Sequence, residues 1–198
     1  MTLLILGLVI FIGTHGFTMA RGARASAIAR VGEGAYKGIY SLLSLAGIVL
    51  IAIGYGQYRA SGYVPVWDPP VWTRHLALLL VWFAFVFFAA AYLPGRIKRM
   101  AKGHPMLLGL KIWAFAHLIA NGDLGSILLF GSLLAWGVAA RIGAKRRDEV
   151  VPHAGPAAPP LGWRNDILAL VIGTLAYLAF AFWLHPWLIG VPVIPTRG

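Results

Sequence analysis

His104-Pro105-Met106-Leu107-Leu108-Gly109-Leu110-Lys111-Ile112-Trp113-Ala114-Phe115-Ala116-His117-Leu118-Ile119-Ala120-Asn121-Gly122-Asp123-Leu124-Gly125-Ser126 is a membrane-type stretch that nevertheless carries titratable groups. Such groups are costly in hydrocarbon and mark a site or face a water-filled cavity. Pro105 suits the first turn of a helix, where an N–H needs no partner. Asn121-Gly122-Asp123 reads as a break, with Asp123 positioned to cap the next helix. The helix between, Pro105 to Ala120, would span about 24 Å. That is short against a bilayer core of about 30 Å. Leu110, Trp113, Ala114, His117 and Asn121 share one stripe of it, by the three-and-four spacing of helical neighbours. His117 therefore has a tryptophan one turn before it and an amide one turn after, and the break is expected close to the site.

Composition supports the membrane reading. Of 198 residues, 60% are hydrophobic and 12% charged, and long apolar runs alternate with short basic stretches. The expected fold class is all-α: a polytopic membrane protein, a bundle of about six transmembrane helices forming one domain over residues 1–198. The net charge of +11 does not indicate nucleic acid, because the basic residues cluster between apolar runs, as cytoplasmic loops do. With no cysteine, disulfides, thiolate ligands and covalent haem attachment are excluded. The chain starts in an apolar run without a basic leader, which reads as a retained helix and not a cleaved signal.

Outward from the central stretch, the expected helices are Thr2–Ala20, Gly38–Tyr58, His75–Leu93, Pro105–Ala120, Leu124–Ala140 and Asp166–Leu184. The fourth and fifth are expected as a tight hairpin. Gly7, Gly13 and Gly16 allow a close neighbour to the first helix, and Ser41, Ser44 and Gly47 form a small-residue stripe on the second. Residues 21–37 read as a Gly/Ala-rich basic loop. Residues 59–74 read as a Pro- and Trp-containing connector on the membrane surface. Residues 141–163 read as a flexible, basic and then Pro-rich cytoplasmic loop. His185-Pro186 is expected to end the last helix. Loops after the first, third and fifth helices hold four, four and five Lys or Arg, against three in the other loops and tail. The first set should be cytoplasmic, leaving both termini in the periplasm of a bacterial inner membrane.

His15 and His117 are the histidines well inside helices. They read either as hydrogen-bonded struts between helices or as the axial pair of one haem b bound from opposite faces. Neutral imidazole suits haem iron, and each ring would need an acceptor for its other N–H; Thr14 and Asn121 are the nearest polar candidates. His104 reads as a helix-start residue or a propionate contact. Lys111 can snorkel to headgroups or pair with a propionate. Asp123 is a cap, a polar wall of the site, or both, and Trp113 is packing or a cofactor wall. His75 and His185 sit at helix ends, and His153 in the flexible loop. No nucleophile with its base, paired carboxylates or phosphate loop is present, which argues against hydrolytic and phosphoryl chemistry.

The runs His104–Gly109, Lys111–Ala114, Ala116–Leu118, Asn121–Leu124, Leu129–Ser132 and Leu134–Trp136, with Tyr40–Gly47, resemble the NnrU family of bacterial membrane proteins. The family's name implies a role linked to nitrite and nitric oxide reduction in denitrification. It includes the 15-cis-ζ-carotene isomerase of plants and cyanobacteria, a membrane haem b protein. His15 and Trp113-Ala114-Phe115-Ala116-His117 match that relative's haem-ligand motifs, with Ala114 where the relative has cysteine, and His104-Pro105 matches a His-Pro pair. The resemblance implies a haem b protein supporting nitrogen-oxide respiration. Alternatives are a haem-dependent isomerase of ζ-carotene or another polyene, for which Trp82, Phe83, Phe85, Phe87 and Phe88 would form a groove, and a cofactor-free assembly factor. The implied partners are membrane lipid and either nitric oxide or a hydrophobic polyene, with no nucleic acid.

Overall fold

A computed structural model describes residues 1–150 and 163–193, omitting the side chains of 147–150. The described residues form α1 (Thr2–Phe17), α2 (Arg21–Val31), α3 (Glu33–Ala60), α4 (Val71–Ala90), α5 (Arg96–Met100), α6 (Pro105–Ala120), α7 (Leu124–Val150) and α8 (Arg164–Ala179). A π-helical turn (Phe180–Leu184) and α9 (His185–Ile189) follow. The chain is an all-α polytopic membrane protein. Four helical spans are long and apolar enough to cross a bilayer: Glu33–Ala60, Val71–Ala90, Leu124–Arg146 and Arg164–Ile189. α1 meets the same test only together with α2, from which it is bent by 90°, and α6 is a shorter apolar helix.

Two compact units divide the chain, Met1–Pro69 with Asn121–Arg147, and Pro70–Ala120 with Asp148–Gly198. In the first unit α1 packs on α3 through glycines. A Cβ on Gly7 would stand 2.9 Å from the Gly47 carbonyl oxygen, one on Gly47 2.9 Å from the Phe11 Cβ, and one on Gly54 would collide with the Leu4 amide nitrogen. Helices in lipid gain no hydrophobic driving force from one another, so close backbone approach over small residues supplies the packing. Gly7 and Gly47 fulfil that expectation. Gly13 and Gly16 do not, since nothing lies within 4 Å of a Cβ at either.

In the second unit α4 is flanked by α6 and α8. Gly109 lets α6 approach the Phe88 ring and the Ala84 carbonyl, and Gly173 lets α8 approach the Val86 backbone. Trp82 Nε1 donates to Thr174 Oγ1 at 2.9 Å, and Phe85 meets Phe88, Tyr177 and Phe180. These aromatics are helix-packing residues, while Phe83 faces outward. At one end of this unit Asp166 Oδ1 accepts from the Ile97 amide at 2.9 Å, holding the start of α5. Asn165 Nδ2 donates to the Pro94 carbonyl at 2.6 Å.

Several boundaries differ from the sequence reading for local reasons. Residues 21–31 form α2 and not a loop, because Ala and Arg are good helix formers; Gly32, at φ 82°, ends it. α3 begins at Glu33, whose carboxylate pairs with Lys37 one turn on at 2.8 Å. The connector is anchored to the chain break: Leu124 N–H donates to Val64 O at 2.9 Å and Val66 N–H to Gly122 O at 2.8 Å. Gly122 is required there, because a Cβ would collide with the Trp67 carbonyl. α7 runs on through Arg141 to Val150, so the first part of the expected 141–163 loop is helical, and residues 151–162, with His153, lie outside the described residues. At Pro186 the missing N–H interrupts the helical ladder, and the chain widens into the π-turn instead of ending. The helix then stops at Gly190, at φ 74°.

Candidate functional site

His15 sits in the last turn of α1. Its Nδ1 lies 2.8 Å from the Phe11 carbonyl oxygen, four residues back. A carbonyl only accepts, so the proton is on Nδ1 and the Nε2 lone pair is left for a ligand or donor. The imidazole lies against three rings: Phe11 at 4.2 Å, Tyr40 at 5.4 Å and, edge-on, Trp136 at 5.5 Å. Thr18 Oγ1 donates to the His15 carbonyl at 2.7 Å and helps close the helix end. Trp136 Nε1 is buried with no hydrogen-bond partner among the described residues.

His117, near the end of α6, makes the same kind of backbone hydrogen bond. Its Nδ1 lies 2.8 Å from the Trp113 carbonyl oxygen, and its ring stands 4.7 Å from the Trp113 indole. The local sequences share little beyond an aromatic four residues before the histidine. That spacing is sufficient, because a helical side chain leans back over the turn that precedes it. The acceptors expected from Thr14 and Asn121 are therefore not needed, since backbone carbonyls fix both tautomers. Phe11, Tyr40 and Trp136 were not among the expected site residues. Phe11 was legible from its spacing to His15, whereas Tyr40 and Trp136 come from other helices and leave no local signal.

Asp123 is buried and caps α7: its Oδ1 accepts from the Ser126 amide at 2.9 Å and its Oδ2 from Ser126 Oγ at 2.6 Å. Tyr55 OH joins the chain, 2.7 Å from Ser126 Oγ. Tyr58 OH accepts from the Val64 amide at 2.9 Å. Asp123 precedes Trp136 by thirteen residues, about 20 Å along the helix. Within its unit the break is thus a structural joint remote from His15, not a wall of its surroundings. Asp123→Ala should lower unfolding stability in detergent by about 2–3 kcal/mol, since it removes a cap and strands a buried hydroxyl. The spectral signature of any group at His15 should be unchanged.

His104 is half-buried at the start of α6, its amide donating to Ala101 O at 3.1 Å and its carbonyl accepting from Leu108 N–H. Lys111 lies two turns into α6 and is likewise half-buried. Asn121 follows His117 by one helical turn in sequence. Among the described residues no three of His, Asp and Glu gather into a metal cluster.

A family model described as NnrU protein matches residues 3–193, nearly the whole chain. The chain belongs to the NnrU family. No curated protein and no solved structure matches it. The NnrU match takes in both aromatic-x-x-x-His turns and the Asn121-Gly122-Asp123 joint.

Proposed function

We propose that this NnrU protein is a haem b protein of the bacterial inner membrane, with both termini periplasmic, and that it supports nitrite and nitric oxide reduction. The observation that carries the reading is the repeated Nδ1–H···O=C bond at His15 and His117. Iron-ligating histidines characteristically give their second N–H to a carbonyl or carboxylate, which fixes the ring and raises its basicity. Haem b, when bound, supplies a one-electron redox centre that also has affinity for nitric oxide. The chain's own residues do the rest. Phe11 O and Trp113 O hold a proton on each Nδ1 and aim each Nε2. The rings of Phe11, Tyr40, Trp136 and Trp113 restrict imidazole rotation and keep water away. His104 and Lys111 are the donors proposed for the propionates. No thiol is available as a substitute ligand, and Ala114, fully buried on α6, offers no lone pair. The polyene-isomerase reading gains no groove from α4, where Trp82, Phe85 and Phe88 are occupied in packing.

A denitrifying host that lacks this chain should accumulate nitrite or nitric oxide under oxygen limitation. The wild-type chain should restore reduction, and His15→Ala should restore less than about a tenth of it. Full restoration by His15→Ala would remove the histidine from the function.

A further inference from the structure

α1 and α3 lie antiparallel, since Leu4 meets Gly54 and Phe11 meets Gly47. The same register sets Phe17, the end of α1, beside Ser41. α3 therefore extends about 12 Å beyond α1, back to its start at Glu33. α2 crosses there, turned by 90° from α1. Because α3 is long and apolar enough to cross a membrane, α2 lies across the bundle axis, in the plane of the membrane. We propose that α2 is an interfacial helix that binds one anionic phospholipid, with the phosphate against Arg24 and Arg21 and an acyl chain in the apolar cavity beside α2.

The depth fits. Tyr36 and Tyr40 stand on α3 at the level of α2, where the amphipathic rings of a membrane protein gather at the headgroups. The charge fits as well. Residues 1–40 hold Arg21, Arg24, Arg30 and Lys37 against one carboxylate, Glu33. Glu33 is taken by Lys37 at 2.8 Å, which leaves the three arginines of α2 without a carboxylate of their own. A basic helix lying flat on the cytoplasmic leaflet meets a surface of anionic lipid. The cavity, about 230 Å³, is bordered by Thr14 and Phe17 of α1, Ala27 and Val31 of α2, and Ile39 and Leu43 of α3, and its wall is almost wholly apolar. That volume is far too small for a helix about 10 Å across and suits a single chain. Phe17, Ile39 and Leu43 are also exposed, so the cavity opens sideways to where acyl chains lie. The two halves of the site share one face of α2. Arg21, Arg24, Ala27 and Val31 follow one another at helical spacing, and the Arg24 guanidinium stands 6.0 Å from the centre of the Tyr36 ring, itself part of the wall. Arg24 is exposed, and its planar fork of donors matches a phosphate. A zwitterionic lipid brings an ammonium that would oppose the arginines, so the anionic class is selected.

The test is native mass spectrometry of the purified full-length protein in detergent, titrated with dioleoyl-phosphatidylglycerol and separately with dioleoyl-phosphatidylcholine. The first phosphatidylglycerol is expected to bind several-fold more tightly than phosphatidylcholine. Arg24→Gln, at an exposed position that leaves the packing intact, should weaken that first binding about fivefold, the worth of one basic side chain beside anionic lipid. Arg30→Gln removes the same charge from the same helix but off this face, and should change affinity by less than about twofold. Ala27→Trp, whose indole occupies the cavity, should weaken binding at least as much as Arg24→Gln. Equal affinity of the wild-type protein for the two lipids would overturn the proposal. So would equal losses in Arg24→Gln and Arg30→Gln, which would make the attraction a diffuse charge effect, or unchanged binding in Ala27→Trp, which would leave the cavity without a part in it. None of these outcomes depends on haem, whose content is read separately from the same samples.

Discussion

Replacing either His15 or His117 by alanine should strip the protein of low-spin haem. Were both imidazoles to hold the haem iron, the wild-type spectrum would be low-spin. Each single variant either fails to retain haem through purification or holds it with one ligand, as a high-spin species. Changes to residues that merely support a ligand typically lower metal affinity by about 10–100-fold, so removal of the ligand itself should exceed that. Added imidazole should restore a low-spin spectrum to whichever variant keeps the group, which a merely structural histidine would not allow. His153→Ala should leave haem content and spin state unchanged. Full low-spin occupancy in both single variants would exclude the pair as ligands.

Gly54→Val should be the most damaging substitution in the helix packing. A Cβ at position 54 runs into the Leu3–Leu4 backbone, and Leu4 is fully buried. Backbone cannot rotate away as a side-chain tip can, so α1 must separate from α3. Overpacking of this kind lowers stability by about 1–3 kcal/mol, and contact with main chain puts Gly54→Val at or above the upper end. Gly47→Val should destabilise through the same interface and also disturb the histidine. Its Cβ would press on Phe11, whose carbonyl holds His15 Nδ1. Gly13→Val is the control, because nothing lies within 4 Å of a Cβ there, and it should stay within about 0.5 kcal/mol of wild type. Denaturant unfolding in detergent gives the ranking. Equal stability for Gly54→Val and Gly13→Val would contradict the glycine-mediated packing of α1 on α3.

The limits of α6 were legible because Pro105 and the Asn121-Gly122-Asp123 break mark its two ends, Pro105 and Ala120. Asp123 as a cap was legible for the same reason, since an acidic residue before an apolar run satisfies free N–H groups. α2 was not legible. Its arginines and glycine resemble loop composition, while the 90° bend after α1 is set by chain geometry that no residue announces. The continuation past Pro186 was hidden because a proline removes one bond but does not forbid a wider turn. At the candidate site the two histidines stood out as ionisable groups in apolar helices, yet the reason for their orientation did not. The acceptors are main-chain carbonyls, which every residue carries, so no side chain marks them. Tyr40 and Trp136 reach His15 from α3 and α7, and such tertiary neighbours have no periodic signature.

The haem b proposed here on histidine ligands has a direct spectroscopic test. The deciding measurement is the dithionite-reduced minus oxidised absorption spectrum of the purified wild-type protein, with a pyridine haemochrome assay on the same sample. The expected result is a low-spin b-type spectrum with haem approaching one per chain. Protein purified from haem-replete cells that shows no Soret band, and gains none on titration with haemin, would contradict it.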